Sequence, residues 1–404
     1  MRVGIEKMHA YIPPYYVDLE DLAHARQVDP EKYTKGLLQR QMSFAPQEQD
    51  IIVMALKAAE AILTEQDKEV IDQVIVGTES SFDYSKAAST YIHQLLGIQP
   101  FARAYEMKEA CYGGTAALQN ACDYVRSHPE RKVLVVTTDI SKYGLASSGE
   151  VTQGAGAIAI LVSNQPHILT IDPQAVFMST HEYDFWRPEG QEYALVDGQF
   201  SNQLYMDVFV KVVKEFNRRH PGLLKDLSLM HFHLPYSKMG LKALKHLQAS
   251  IEDLDQVDYQ LTLDQWLADY IHTTRLNQKV GNIYTGSLFL SLLSTLTDPD
   301  KDLSGDKIGL FSYGSGAVGE LFVGQVGDKY RDYLLADDLQ AQFDRRQGLS
   351  VADYETLYQE PVRPDRQGNW QAQIPAVEEG WQLTAITEHQ RHYEKKVKET
   401  KQPL

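Results

Sequence analysis

Cysteine is scarce: Cys111 and Cys122 are the only two in 404 residues. Cys/His zinc modules need several ligands at short, regular spacing, and no such set is present. Both cysteines fall in a stretch that reads as one helix, which sets their Cα atoms about 16 Å apart. A disulfide needs about 7 Å or less, so the two are not expected to pair, and one of them is available as a nucleophile. Long apolar runs are also missing. Without a run of about 18 apolar residues, no membrane-spanning helix is expected. Basic residues are outnumbered, with Lys+Arg 39 against Asp+Glu 55 and a net charge of −16. That field opposes nucleic acid or an acidic membrane as partner. It leaves room for an anionic small substrate only where lysines gather. The opening MRVGIEKMHAYIPP lacks the apolar core of a secretory signal and the Arg/Ser-rich character of a transit peptide, so a cytoplasmic location is expected. No Walker motif occurs, and GAGA at 154–157 follows a loop, which makes it weak evidence for a nucleotide site.

What is present is a regular alternation. VIDQVIVGTE, RKVLVVTTDI, GAIAILVSN, LSLMHFHLP and KIGLFSYGSG read as buried strands. DIIVMALKAAEAILTEQ, GGTAALQNACDYVRSH and LYMDVFVKVVKEFNRRH read as amphipathic helices. The alternation predicts an α/β fold with mostly parallel strands. A chain of this length is expected to form more than one compact unit. TQGAGAIAILV (152–162) and GSGAVGELFVG (314–324) share a Gly-rich start and an apolar run, and each follows an apolar strand. Strand, Gly turn and strand is a common unit. A duplication with halves at 1–167 and 168–404 is the sharper reading. The stretch after about 325 reads as surface helices and loops closed by a last strand, WQLTAITEH.

Five segments carry residues able to do chemistry. In EACYGGTAALQNA, Cys111 ends a short segment and begins a helix, with Gly113 and Gly114 allowing a sharp bend. A thiol at a helix N-terminus gains thiolate character; a buried structural cysteine is the competing reading. Cys122 lies mid-helix and reads as structural. In VIVGTES, Glu79 follows an apolar strand. An enclosed carboxylate there titrates near neutral pH and serves as acid and base, whereas a loop or capping glutamate does neither. In SLMHFHLP, His231 and His233 alternate with apolar residues and so share a strand face; hydrogen-bonded core histidines are the plainer reading. No third ligand at suitable spacing accompanies them, so no metal is expected. In SKMGLKALKHL, Lys238, Lys242 and Lys245 share a helical face, either as a phosphate site or as a solvated stripe. Asn282 in VGNIYTGS and Ser315 in FSYGSGA occupy Gly-flanked turns, which expose backbone N–H groups suited to an oxyanion.

The order GTES, EACYGGTAA, TQGAGA, DFWRP, LVDGQFS, HFHLPYSKMG, VGNIYTGSL and FSYGSGAVGE resembles the hydroxymethylglutaryl-CoA synthases over roughly residues 1–325. KEACY, YGLASSGE and DFWRP are in the style of bacterial members. The resemblance implies a thiolase-like, five-layered αβαβα fold with internal duplication. It also implies a homodimer, and acetyl-CoA and acetoacetyl-CoA as substrates. No metal or organic cofactor is implied. The family's place in the mevalonate pathway of isoprenoid synthesis comes with the resemblance. By motif, Cys111 resembles the acetyl-accepting nucleophile, Glu79 the general acid/base, and His233 the residue that holds the acetoacetyl group. Asn282 and Ser315 resemble acyl-pocket residues, Thr152 and Ser201 substrate contacts, and Tyr143 a residue of the loop near the site. Asp29, Lys32, Lys238 and Lys242 resemble the stretch that meets CoA. The segment around 144–152 is written differently in animal members, which leaves the contacts of Ser148 open.

Neighbouring readings differ at single residues. A thiolase needs a second cysteine in the late Gly-rich loop, and YGSGAVGE holds none. A ketoacyl-carrier-protein synthase of the third type uses Cys, His and Asn and does not need Glu79. A non-catalytic scaffold of this fold usually lacks the nucleophile.

Overall fold

The structure, a computed structural model, describes residues 1–250, 256–372 and 379–396. Among the described residues, ten strands build one large sheet. In chain order they are β1 (Gly4–Tyr11), β2 (Ile71–Gly77), β3 (Arg103–Met107), β4 (Lys132–Ser141), β5 (Gly154–Ser163), β6 (Leu169–Ile171), β7 (Val176–Ser179), β8 (Leu227–Phe232), β9 (Lys307–Gly314) and β10 (Val318–Val326). The spatial order is β8-β9-β10-β6-β1-β5-β4-β2-β3, with β7 also paired to β10.

The strands are two-faced because both faces are covered, and their side chains divide by period two. Val133 and Val135 of β4 enter one apolar cluster, while Leu134 and Val136 enter another. On β10, Phe322 joins the first cluster and Leu321 and Val323 a third. Eight helices matter for the site. α1 (Ile51–Glu60) and α2 (Ala88–Leu95) cover the outer face of β2, β4 and β5. α3 (Gly113–Ser127) and α7 (Ser287–Leu296) share the central cluster. α4 (Gly198–Arg219), α5 (Met239–Ala249) and α6 (Gln256–Asp269) cover the far face of β8, β9 and β10. α8 (Val351–Gln359) lies late in the chain. The result is five layers, α-β-α-β-α, with the two half-sheets joined through β1 and β6. In each half a central helix precedes a strand, a connecting loop and an antiparallel partner: α3, β4, β5 and then α7, β9, β10. The fold class and its duplication therefore follow the expectation.

Three local expectations change. The large sheet is not mostly parallel: among the described residues three of its pairs are parallel and six antiparallel. Apolar strands buried on both faces look alike in sequence whichever way they run. The helix expected over 50–66 ends at Glu60, and Thr64 starts a new one, Glu65–Val70, with Asp67 completing a capping box. WQLTAITEH forms the strand Gly380–Thr387, but another strand, Gln390–Lys396, follows and pairs with it. Among the described residues no helix is long and apolar enough to cross a membrane.

Candidate active site

The tips of β2 and β4, the start of α3 and the loops after β8 and β9 meet at one end of the central layer. Two glycines permit that meeting. A Cβ on Gly114 would lie 2.5 Å from the Thr285 carbonyl oxygen, and one on Gly314 would lie 2.5 Å from that of Glu109. Any side chain there would push the Cys111 segment off its neighbours. Ala110 carries φ +43° immediately before Cys111. A non-glycine residue in the left-handed region costs energy and persists only where its surroundings hold it.

Cys111 Sγ donates to Glu79 Oε1 at 2.8 Å. Glu79 follows β2, and its backbone N–H donates to Asp139 Oδ1 at 2.8 Å. Its carbonyl accepts from Arg187 Nη2 at 2.6 Å. Asp139 is fully buried near the end of β4. It also accepts from the hydroxyls of Thr78, Ser80 and Thr285. Burial first, and the neighbouring Asp139 second, push Glu79 up to about 8. Burial pushes Asp139 up to about 6. Cys111 is raised well above the ordinary thiol range by burial and then by Glu79. The expectation of an acidified thiol is corrected here. Helix α3 begins two residues later, at Gly113, and a helix terminus contributes about 0.3–1 kcal/mol. Desolvation shifts a fully buried group by up to about 3–5 units, at about 1.4 kcal/mol each, so burial wins. The resting pair is a thiol hydrogen-bonded to a carboxyl that titrates near neutral pH, whose ionised form can take the thiol proton.

A cavity of about 360 Å³ opens above this pair. Cys111, Tyr143, Thr152, Ser201, His233, Asn282 and Ser315 all line it, and Ser148 joins them. His233 stands just past the end of β8, with its backbone N–H on the Phe311 carbonyl at 2.8 Å. Burial lowers it to about 3, so its ring is neutral. Its Nδ1 is buried with no hydrogen-bond partner among the described residues. His231, two residues earlier, contacts the Ser291 and Thr295 hydroxyls of α7 and is a satisfied core histidine. Asn282 Nδ2 donates to the Tyr143 hydroxyl at 3.1 Å. Ser201 Oγ donates to Asp184, and Thr152 Oγ1 to the Gly149 carbonyl.

Glu79 lies behind Cys111 and outside the cavity lining, and so do the nominated residues Asp29, Lys32, Lys238, Lys242 and Lys245. Asp29 accepts the Glu31 N–H at the start of a one-turn helix that also carries the exposed Lys32. Lys238 Nζ donates to the Lys35 carbonyl, which brings that helix against the start of α5. Lys242 Nζ donates to the hydroxyl of Tyr236, a cavity-lining residue. Lys245 is exposed. Of this group, Lys242 is the residue that touches the cavity wall, through Tyr236.

Sequence reasoning missed Asp139 and Asp184. Asp184 is fully buried and accepts from Ser201, Tyr313 and the Gly316 N–H. The signal for Asp139 was present: a carboxylate ending an apolar β-branched run, KVLVVTTD. Asp184 opens the DFWRP motif but lies in an irregular segment, with no strand end to single it out within that motif. Among the described residues no group of three or more His, Cys, Asp or Glu side chains is placed to hold a metal ion.

Comparison with known proteins agrees with this geometry. Residues 1–166 match the family description hydroxymethylglutaryl-coenzyme A synthase N terminal. Residues 169–256 and 246–396 match its C-terminal counterpart. A hydroxymethylglutaryl-CoA synthase of Enterococcus faecalis is 48% identical over 365 residues, covering 90% of this chain and 94% of that one. A polyketide biosynthesis 3-hydroxy-3-methylglutaryl-ACP synthase of Bacillus subtilis is 31% identical, covering 88% and 87%. Among solved structures, an HMG-CoA synthase complexed with CoA superposes with a TM-score of 0.92 at 41% identity, covering 98% of this chain and 100% of the other. One in complex with 3-hydroxy-3-methylglutaryl coenzyme A gives 0.89 at 34%, covering 98% and 99%. A thiolase-like fold with these layers, matched from end to end by both halves of one family, leaves a single assignment: the chain belongs to the hydroxymethylglutaryl-CoA synthase family.

Proposed function

We propose that the protein condenses acetyl-CoA with acetoacetyl-CoA and water to 3-hydroxy-3-methylglutaryl-CoA and CoA, through an acetylated Cys111. The observation that carries this reading is the Cys111–Glu79 hydrogen bond at the floor of a cavity that also holds His233. Ionised Glu79 takes the thiol proton as Cys111 attacks the acetyl thioester, and passes it to the leaving CoA thiolate, giving acetyl-enzyme and free CoA. Glu79, again ionised, removes a proton from the acetyl methyl, which the thioester sulfur already acidifies. The carbanion adds to the C3 ketone of acetoacetyl-CoA, and the proton on Glu79 passes to the new alkoxide. Neutral His233 donates a hydrogen bond to the acetoacetyl oxygen and polarises it. Water then cleaves the thioester at Cys111. The unpartnered Nδ1 of His233 supports a polar ligand there.

Tyr143, Thr152, Ser201, Asn282 and Ser315 shape the acyl pocket in this reading, with the Ser315 and Cys111 amides as oxyanion donors. Asp29, Lys32, Lys238 and Lys242 meet CoA, whose phosphates suit a lysine-bearing rim in an acidic chain. No metal or organic cofactor takes part. The chain divides into halves at 1–167 and 168–404, acts in the cytoplasm, and forms a homodimer. β3 supports the last point, because it ends the sheet order and presents an edge able to pair with a second copy. The test is thiol release from acetyl-CoA with and without acetoacetyl-CoA. Turnover that requires both substrates is expected. Release from acetyl-CoA at the same rate without acetoacetyl-CoA would identify a simple thioesterase instead.

A further inference from the structure

The loop bearing Tyr143 is strained. Gly144 has φ +91° and Ala146 φ +55°. Such a loop holds one conformation only where its surroundings over-determine it. Here they come from the opposite end of the chain. Tyr358 of α8 accepts the Gly144 N–H at 3.0 Å and donates its own hydroxyl proton to Gln153 Oε1 at 2.9 Å. The same Gln153 oxygen accepts the Tyr143 N–H at 2.8 Å. Gln153 Nε2 donates to the Tyr354 hydroxyl at 2.9 Å, and Tyr354 donates in turn to Glu150 Oε1 at 3.2 Å. Glu150 accepts the Ala146 N–H at 3.0 Å and a two-pronged contact from Arg26, Nε to Oε2 and Nη2 to Oε1, each 2.8 Å. Arg26 also pairs with Glu355 of α8. Gln153, Glu150, Tyr354 and Tyr358 are all buried. Each polar atom in the circuit has a partner, which makes it stiff and costly to break at any one link.

We infer that Tyr358, acting with Gln153, is a positioning residue for the reaction: it clamps the strained loop so that the Tyr143 side chain stands in the cavity wall beside Cys111. This rests on the proposed condensation, and it gives α8, about 200 residues from the loop in sequence, a role at the site. Tyr143 is where the clamp acts. Its hydroxyl meets Asn282 Nδ2 at 3.1 Å, so a shift of the loop moves a group in the acyl pocket. Misplacement of a positioned group by a fraction of an ångström to an ångström costs about ten- to a hundredfold in rate.

The experiment is a double-mutant cycle of Tyr358→Phe and Tyr143→Phe, read by turnover with both substrates and by the rate at which iodoacetamide alkylates Cys111. The parent's dependence on both substrates is measured first, because it tests the condensation itself. The alkylation arm stands whatever that result is, since it needs no catalysis. Tyr358→Phe alone is expected to lower turnover about tenfold and to speed alkylation of Cys111. In the Tyr143→Phe background the same substitution is expected to have little further effect on turnover, because its target is already gone. An equal fold-loss in both backgrounds, or unchanged turnover and alkylation in folded Tyr358→Phe, would overturn the inference. Tyr354→Phe, one link further from the loop, guards against a Tyr358→Phe that does not fold. It is expected to give a smaller loss with the same dependence on Tyr143, and independence from Tyr143 would equally sink the clamp.

Discussion

The two halves of the chain deliver opposite chemistry to one cavity, although the same force acts on both. The N-terminal half brings acids: Glu79 at the tip of β2, Asp139 on β4 and the Cys111 thiol before α3. The C-terminal half brings His233 past the tip of β8, with the Asn282 and Ser315 loops. Burial is the leading cause of every shift. It raises Glu79 to about 8 and Asp139 to about 6, and lowers His233 to about 3. Desolvation penalises the charged form whichever sign that charge has. The two carboxyls are thereby brought into the range where a proton moves at neutral pH, while the thiol is pushed further above it and the histidine is taken below it. Proton transfer belongs to the first half. Hydrogen-bond donation from an uncharged ring belongs to the second.

The largest effect is expected where the first half loses its nucleophile. Cys111→Ala should abolish acetylation and leave the fold intact, since alanine is a good residue beside a helix start. Measured as labelled acetyl group retained per chain, stoichiometric labelling of that variant would show another nucleophile at work.

Next is the division of labour within the first half. Glu79→Ala should lower condensation by about 10²–10⁴-fold, the usual loss for a general base, and impair acetylation much less. The resting thiol lies on Glu79, so some slowing of acetylation is expected. The comparison that matters is the ratio of the two losses, from single-turnover acetylation set beside overall turnover. Equal losses would mean that Glu79 serves only to activate Cys111.

Stability against pH sets the two halves directly against each other. Unfolded, Glu79 titrates near about 4.3, whereas folded it titrates at about 8. Between those values the folded chain holds a proton that the unfolded chain has lost, so this group makes stability fall as pH rises. His231 and His233 run the other way. Unfolded they titrate near about 6.5 and folded at about 3, so they make stability fall as pH drops through that window. Glu79→Gln should therefore remove one downward contribution, so that the variant's melting temperature gains on the parent's as pH rises from about 5 to 8, and leave the acid side unchanged. An identical slope in the variant would remove Glu79 from the account.

The smallest effect is expected at the other cysteine. Cys122 is fully buried in the central cluster, and burial raises its thiol to about 12. Cys122→Ala should cost about 1 kcal/mol of stability, the common range for a point change, with turnover close to the parent's. A folded but inactive variant would mean that the central layer transmits more to the cavity than packing alone explains.

Much of this was legible in one dimension because it was written in short strings with local physics. An apolar run ending in Gly-Thr-Glu, a cysteine before two glycines, and alternating histidines before Leu-Pro each place a functional group at the end of an element. Element ends are where this fold gathers its site. The strings marked where Glu79, Cys111 and His233 sit on their elements, and the order of motifs marked the family. Strand direction was not legible, since a strand apolar on both faces reads the same in parallel and antiparallel pairings. The state of the thiol was not legible either. The helix-start contribution is local and visible, whereas the larger desolvation depends on what the rest of the chain places around Cys111.

The sequence by itself determined the inventory: which groups exist, which stand at element ends, and that two similar halves are joined in one chain. Only the tertiary structure decided which of them meet. Asp139 accepts from the backbone N–H of Glu79 because β2 and β4 are adjacent and parallel. Of two histidines two residues apart, one is satisfied by α7 and one is left facing the cavity. The Tyr143 loop depends on tyrosines about 200 residues away. Each of these is a matter of desolvation or of a hydrogen bond between distant segments. Both are set by packing in three dimensions, and no pattern along the chain encodes them.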